Sequence, residues 1–279
     1  MRVKYWGARG SIPTPGHEMA RLGGNTSCVE LTLSDGTEVI LDAGTGICAL
    51  GRERTMDAGR VHLLLTHLHL DHIQGLMFFE PLFDSNCEVH VTGPVALGGD
   101  LLKRLARYIS APLAPIEIRE LPARMTFNDV GTCKWQFGPA TIEAGFVNHR
   151  GPTLGYRVTD GDVTVAYIPD HEPALGQRLD RSAPEWISGL SLARDADLLI
   201  HDSQYTEEEY SQRLGWGHSA VPDSVRFARR AGVRSLALFH HDPLHDDAAV
   251  DTLAEAARSM ADGSFERVEA AREGEVLEL

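Results

Sequence analysis

Cysteine is scarce in this chain, and long apolar runs are absent from it. The four cysteines, Cys28, Cys48, Cys87 and Cys133, show no C-x-x-C spacing. The sequence therefore predicts buried free thiols, and neither a disulfide framework nor a cysteine-bound zinc. No segment reaches the roughly 18 apolar residues that a membrane-spanning helix needs. We therefore expect a cytoplasmic protein that does not enter a membrane.

Positive charge is also in short supply. The chain has 26 lysines and arginines against 40 acidic residues, which gives a formal net charge of −14. Proteins bind large nucleic acids mainly through Lys and Arg contacts to phosphates, so this balance argues against a large nucleic acid as the main substrate. A local basic patch around Lys103, Arg104 and Arg107 is left open. Because the sequence has no low-complexity tract or evident linker, it predicts a single domain over residues 1–279.

The most informative stretch is an apolar run that ends in a group of metal-binding side chains. Residues 61–65 read V-H-L-L-L, which is typical of a strand buried on both faces. His67, His69, Asp71 and His72 follow within six positions. Imidazole and carboxylate bind divalent cations at neutral pH, and four such groups exceed what one ion commonly requires. The stretch therefore predicts a metal site at a strand end.

The segment Thr66–His72, T-H-L-H-L-D-H, resembles the T-H-x-H-x-D-H signature of the metallo-β-lactamase superfamily. The resemblance implies a mixed α/β fold, a four-layer αββα sandwich, with two divalent metal ions, commonly zinc, at one edge. It implies one metal held by His67, His69 and His149, a second held by Asp71, His72 and His240, and Asp170 between them. Should the register of the last strand slip by one residue, His241 would replace His240.

Further segments are similar to the ribonuclease Z and phosphodiesterase branch of that superfamily. The Leu41–Gly46 motif implies that Asp42 hydrogen-bonds the metal loop, and the Gly-rich opening implies that Asn25 and Ser27 contact substrate. Asp202 stands where those relatives have a glutamate, and it would orient His218 over the leaving group. Asp71, Asp202 and His218 are thus the candidate catalytic residues, and His218 also contacts substrate in this interpretation.

These features predict a hydrolase in which a hydroxide between two metals attacks a small cyclic or linear phosphodiester, such as a cyclic nucleotide. His218, as a general acid, would protonate the poor alkoxide leaving group. Three alternatives remain: a lactonase or β-lactamase, a tRNA-processing endonuclease, and a non-catalytic metal or nucleotide sensor. Zinc is the expected metal, with manganese or iron as alternatives. A homodimer is also left open.

Local patterns add expectations about secondary structure. They predict a helix over Ile47–Met56, an amphipathic helix over Val95–Ile109 and two antiparallel hairpins between Thr132 and Tyr167. The prolines of residues 111–122 predict a lid or a connecting arm.

Overall fold

The computed structural model of the protein describes residues 1–54 and 59–279. Two seven-stranded mixed sheets form the centre of the fold. The first sheet comprises β1 (Arg2–Gly7), β2 (Cys28–Thr32), β3 (Glu38–Leu41), β4 (Arg60–Leu64), β5 (Glu88–Pro94), β6 (Arg124–Val130) and β14 (Val276–Glu278). The second comprises β7 (Cys133–Phe137), β8 (Ala140–Phe146), β9 (Leu154–Asp160), β10 (Val163–Ile168), β11 (Leu198–Asp202), β12 (Ser235–Phe239) and β13 (Arg267–Ala270).

The α-helices are α1 (Gly46–Glu53), α2 (Leu70–Ile73), α3 (Leu101–Leu105), α4 (Leu190–Ala193), α5 (Glu207–Gln212), α6 (Val221–Ala231) and α7 (Asp247–Ala261). Short 3₁₀ turns span His17–Met19, Leu76–Phe78, Glu80–Phe83, Ile118–Glu120 and Pro184–Trp186. None of the helices in the described part of the chain is both long and apolar enough to cross a bilayer.

The molecule has four layers, in the order helices, first sheet, second sheet and helices, with an apolar core between each pair of neighbouring layers. One core lies between the sheets and includes Tyr5, Tyr156 and Phe239. A second core lies under the helices that cover the first sheet, and a third lies under α4, α6 and α7 on the second sheet. Burial of each large apolar side chain stabilises the fold by about 1.5–3 kcal/mol relative to leaving it exposed. The predicted αββα sandwich is confirmed.

The strand ends meet at one edge of the sandwich. Strands β3, β4 and β5 run parallel, as do β10, β11 and β12, and β8 points the same way as β10 because β9 is antiparallel to both. At this edge the sheets are joined by hydrogen bonds, from the Leu154 amide to the Thr66 carbonyl (2.8 Å) and from the Tyr156 hydroxyl to the Leu65 carbonyl (2.8 Å). The residues that follow the carboxyl ends of these strands therefore lie together at one edge of the sandwich.

The structure corrects one helix prediction and delimits another. Over Val95–Ile109 only α3 is an α-helix, because Gly98 and Gly99 have φ values of +95° and +122° and Asp100 caps the helix through the Lys103 amide. The helix predicted over Ile47–Met56 is observed as α1, and Thr55 and Met56 lie outside the described residues. The two predicted hairpins are confirmed as β7–β8 and β9–β10.

Candidate metal centre

The signature stretch leaves β4 as a loop and then turns into α2. Val61 and Leu63 point into the core under the helices that cover the first sheet, while Leu64 points between the sheets, as a strand buried on both faces requires. Strand pairing ends at Leu64, so His67 and His69 lie on a loop and not on the strand itself. Asp71 and His72 lie in α2, and the amide of His72 donates to the carbonyl of His69. This tight turn brings all four side chains to the same edge.

Three histidines from the two sheets form the first group of candidate ligands. One ring nitrogen of each of His67, His69 and His149 lies within 4.8 Å of the corresponding atoms of the other two. His149 follows β8, and its Nε2 is 3.2 Å from Nδ1 of His69. His67 is buried and His69 is exposed. This is the trio that the family resemblance implied for one metal.

The second group contains both carboxylates. Ligand atoms of Asp71, His72, Asp170 and His240 lie within 4.8 Å of one another, and all four residues are buried. Asp170 follows β10, and its Oδ2 is 3.0 Å from His72 Nε2. Its Oδ1 is 3.3 Å from His240 Nε2 and 3.6 Å from His149 Nε2. Asp170 therefore stands between the two groups, where the resemblance placed a bridging ligand.

The choice between the two adjacent histidines after β12 is resolved in favour of His240. The Nε2 of His240 is 3.1 Å from Asp71 Oδ2, whereas Nε2 of His241 lies 3.0 Å from the carbonyl of Ala271. The backbone of His240 adopts φ +60°, a left-handed conformation that turns its ring into the cluster. Burial lowers the pKa of His241 to about 3, so that ring is a neutral part of the interior.

Most of the ring nitrogens that face away from the cluster have a partner. His67 Nδ1 lies 3.1 Å from Thr66 Oγ1, His72 Nδ1 lies 2.8 Å from Asp42, His149 Nδ1 lies 2.7 Å from the Gly217 carbonyl, and His240 Nδ1 lies 3.0 Å from Gln204 Oε1. Such partners fix the ring orientation and leave Nε2 free to bind a metal. The cluster is therefore held in a ligand-ready arrangement by its surroundings.

Asp42 hydrogen-bonds the metal loop, as the family motif implied. Its Oδ1 accepts from the amide of Thr66 at 2.7 Å, and its Oδ2 lies 2.8 Å from His72 Nδ1. The same Oδ2 accepts from the hydroxyl of Tyr167 at 2.9 Å. Thr66 follows the first sheet and Tyr167 belongs to the second, so this buried carboxylate connects both sheets to a candidate ligand.

The inward-facing atoms fit a pair of divalent cations. Nε2 of His67, Nε2 of His72 and Oδ2 of Asp170 are buried and lack a hydrogen bond of acceptable geometry. Leaving such groups unpaired costs free energy, which coordination of a cation would remove. Five imidazoles and two carboxylates converge at this point. This donor set suits zinc, manganese or iron.

The electrostatics of the two groups differ. Burial lowers the pKa of His67 well below its usual value and that of His149 to about 4, so both rings are neutral, which is the form that binds metal. Burial acts in the same direction on His240, but Asp170 and Asp71 outweigh it and raise the pKa of His240 to about 9. The carboxylates thus attract positive charge to the second group, as a divalent cation would supply.

A histidine and aspartate pair lies beside the cluster. His218 Nδ1 is 2.7 Å from Oδ2 of the fully buried Asp202, at the end of β11. Asp202 is itself fixed by the backbone amides of His171 (3.0 Å) and Ser219 (3.1 Å). Because Nδ1 is engaged, Nε2 is the nitrogen of His218 that is free to act on a substrate. Asp202 therefore reaches His218 with its short side chain.

The two residues predicted to touch substrate from the Gly-rich opening do not face the cluster. The side-chain amide of Asn25 donates to Glu273 at 2.9 Å. Ser27 is fully buried, so it has no surface to offer a substrate. These are the contacts that the two side chains make within the protein, and their role toward a substrate stays a prediction. What the opening does supply is the backbone amide of Ser11, which donates to Asp71 Oδ2 at 2.7 Å.

Two cavities flank the cluster. One, of about 460 Å³, is mostly apolar and includes Leu68, Ile73 and Leu113 in its lining together with His67 and His69. The other, of about 470 Å³, is lined by His218, Tyr205, Arg213 and Trp216 among others. Arg150 lines both cavities. The segment of residues 111–122 packs Ile118 and Leu121 into the core under the helices that cover the first sheet. Leu113 of the same segment lines the first cavity.

The basic patch that the sequence left open is largely neutralised. Lys103 lies 3.7 Å from Asp100, and Arg104 lies 2.6 Å from Asp129. Among the described residues, no carboxylate lies within ion-pair distance of Arg107. Within the described residues of this patch, Arg107 alone lacks an acidic partner, which provides little positive charge for binding a polyanion.

Gln204, Gly217 and Glu172 are site residues that sequence reasoning missed. Gln204 and Gly217 contact His240 and His149 as described above. Buried Glu172 accepts from the amides of Gly215 (2.9 Å) and Gly217 (2.8 Å). For Gln204, the one available signal was its place just beyond Asp202 at a strand end. For Gly217 the signal was its place directly before His218, and for Glu172 the sequence offered none.

Residues 37–241 match the model of the beta-lactamase superfamily domain. A curated ribonuclease Z from Haloarcula marismortui is 24% identical over 310 aligned positions, covering 94% of this chain and 93% of the relative. The structure of the short form of human tRNase Z superposes with a TM-score of 0.68 at 19% identity, covering 100% of this chain and 99% of the other. A diphosphatase of the PhnP family superposes with a TM-score of 0.69 at 16% identity, covering 100% and 97%. The structural likenesses show the fold.

Proposed function

The chain belongs to the beta-lactamase superfamily and is a metal-dependent hydrolase, and we propose that it cleaves a small cyclic or linear phosphodiester such as a nucleotide. The observation that carries the proposal is the hydrogen bond of 2.7 Å between Asp202 and His218, next to the ligand cluster. Curated relatives named ribonuclease Z and a structural neighbour named as a diphosphatase support phosphoryl chemistry.

Two divalent cations, with zinc as the proposed metal, would be held by the two groups described above and share Asp170. The chemistry that such cations supply when bound is Lewis acidity, which lowers the pKa of water and neutralises charge on the phosphoryl oxygens. The outer partners Asp42, Gln204 and the Gly217 carbonyl keep the ligand rings aimed inward.

His218 acts on the leaving group in this proposal. Asp202 holds the proton on Nδ1 and stabilises the imidazolium, so that Nε2 donates its proton to the departing oxygen. General acid catalysis of this kind contributes about 10²–10⁴-fold for a poor leaving group. His218 lines the cavity of about 470 Å³, where the departing alcohol would lie.

Arg150 provides positive charge for an anionic substrate. It follows the candidate ligand His149, and its Nε donates to the Gly215 carbonyl at 3.2 Å. Among the described residues, no carboxylate lies within ion-pair distance of its guanidinium. Because Arg150 lines both cavities, its terminal nitrogens can contact a phosphoryl group placed between them.

The test compares leaving groups. His218→Ala should lower kcat for a cyclic nucleotide, whose leaving group is a ribose oxygen, by about 10²–10⁴-fold. It should change kcat for bis(p-nitrophenyl) phosphate much less, because p-nitrophenolate departs without protonation. Metal content, measured by elemental analysis, should match the wild type. The control His17→Ala replaces a fully exposed histidine that belongs to neither ligand group and lines neither cavity, and it should leave both rates unchanged.

An equal loss with both substrates would contradict a leaving-group role for His218. Faster turnover of a lactone or a β-lactam than of any phosphodiester, in parallel assays, would instead favour a lactonase or β-lactamase, since neither requires the pair. Metal-loaded protein that hydrolyses none of these substrates would favour a non-catalytic sensor.

A tRNA-processing ribonuclease is the second candidate. The observation that favours it is that the curated relatives covering most of this chain are named ribonuclease Z. The net charge of −14 and the neutralised basic patch oppose it. A precursor tRNA cleaved with a higher kcat/KM than cyclic nucleotides, and with a steep loss of affinity as salt rises, would establish it over our proposal.

A further inference from the structure

A loop next to His218 holds an exposed aromatic ring at the mouth of the second cavity. Trp216 is 54% exposed and lines this cavity together with His218 and Leu244. A large aromatic side chain normally gains free energy by burial, so a ring that is left open beside a catalytic group provides a surface for stacking.

The loop that carries Trp216 is fixed from beneath by Glu172. This carboxylate is 1% exposed and accepts from the amides of Gly215 and Gly217 at 2.9 and 2.8 Å. It also accepts from the hydroxyl of Tyr210 at 2.9 Å. The two amides flank Trp216, so the backbone that carries the indole is held in place before any ligand arrives, which reduces the entropy lost on binding.

The same loop is connected to the metal centre. The Gly217 carbonyl is 2.7 Å from His149 Nδ1, and Gly217 has φ +92° with no room for a side chain against the His149 ring. The Gly215 carbonyl accepts from Arg150 Nε at 3.2 Å. The backbone of the loop that carries Trp216 is therefore held at a set position relative to the candidate ligand His149.

The same cavity also carries planar and cationic groups. The guanidinium carbon of Arg213 lies 5.0 Å from the ring centroid of Tyr205, whose ring is edge-on to His218 at 5.9 Å between centroids. Among the described residues, no carboxylate lies within ion-pair distance of Arg213. A ligand here meets one open aromatic face, flat side chains and positive charge.

We propose that this cavity is a nucleobase subsite, in which the base of a nucleotide substrate stacks on Trp216 while its phosphate lies at the metal cluster. The inference rests on the proposed phosphodiesterase function and narrows its substrate class to nucleotides. Stacking on an aromatic side chain contributes about 1–3 kcal/mol per base and tolerates any base. The subsite therefore selects for a base over a base-free sugar phosphate, and only weakly among bases.

The test measures binding without turnover, with metal-loaded protein and two probes that differ only in the base. Isothermal titration should show that adenosine 5′-monophosphate binds the wild type about 5- to 150-fold more tightly than ribose 5-phosphate. The difference should disappear in Trp216→Ala and survive in Trp216→Phe, which keeps an aromatic face. The matched control is Trp186→Ala, which removes a tryptophan that is 79% exposed on the turn Pro184–Trp186.

Equal affinity of the wild type for the two probes would overturn the subsite, as would an unchanged preference in Trp216→Ala. These outcomes are separate from the fate of the phosphodiesterase proposal, which turnover assays decide. A protein that hydrolyses bis(p-nitrophenyl) phosphate but fails the titration is a phosphodiesterase without the subsite. One that passes the titration but hydrolyses no phosphodiester binds nucleotides at this place without our proposed reaction.

Discussion

The two groups of candidate metal ligands meet at Asp170 but differ in composition and in burial. The group of His67, His69 and His149 consists of imidazoles, and its His69 is exposed. The group of Asp71, His72, Asp170 and His240 is buried and contains two carboxylates. Anionic ligands in a buried setting hold a cation more strongly than neutral ligands open to solvent. We therefore expect the second group to bind the tighter metal and the first group the more exchangeable one.

Removing Asp170, the ligand that both groups share, should have the largest effect because it disrupts both groups at once. Asp170→Ala should reduce kcat/KM for a phosphodiester by about a thousandfold or more, the order that several kcal/mol of charge stabilisation represents. Metal content, measured by elemental analysis, should fall in both groups. Circular dichroism should show that the fold is retained. A variant with full activity and two bound metals would rule out Asp170 as a bridge.

Removing one ligand from each group tests the asymmetry directly. His69→Ala should lower the metal content from two equivalents to about one, because the buried group is left intact. It should have little effect on thermal stability, since His69 is exposed. His240→Ala should reduce stability as well, because it empties a site that is 1% exposed and leaves Asp71 without that partner. Equal losses of metal and of Tm in the two variants would refute the asymmetry.

A substitution that misplaces one ligand ring without removing it has the smallest expected effect. A Cβ at Gly10 would come within 2.3 Å of the His240 ring, so Gly10→Ala should shift that ring. A displacement of about 1 Å in a catalytic site can cost about 10²-fold in rate, and we expect a loss of kcat within that limit. Gly59→Ala is the control, since a Cβ there meets nothing within 4 Å. A loss confined to Gly59→Ala would contradict this account.

The candidate ligands at strand ends could be named from the sequence because the motifs that contain them resemble those of the superfamily. His67, Asp170 and His240 each come just after an apolar strand, and the carboxyl ends of parallel strands share an edge. The convergence of these side chains could thus be predicted together with the fold from short motifs, and their binding of metal ions stays a prediction. The choice between His240 and His241 could not be made, because it depends on a single residue with positive φ.

Contacts between residues that are distant in the sequence could not be predicted. Gln204, which fixes His240, and Glu172, which fixes the loop of Trp216, act through hydrogen bonds between residues tens of positions apart. No periodicity encodes such bonds, and both residues look like ordinary polar positions in the sequence. For Ser27 a motif suggested contact with substrate, and the structure shows a side chain that packing of the loop buries completely.

The hydrogen bonds of Asp42 have a consequence for when activity can arise. One carboxylate touches Thr66 beside the first sheet, Tyr167 in the second and His72 in the cluster. A chain whose two halves have formed but not yet docked cannot complete this junction, and its metal ligands stay unaligned. We therefore expect hydrolysis only from a chain in which the two sheets have docked.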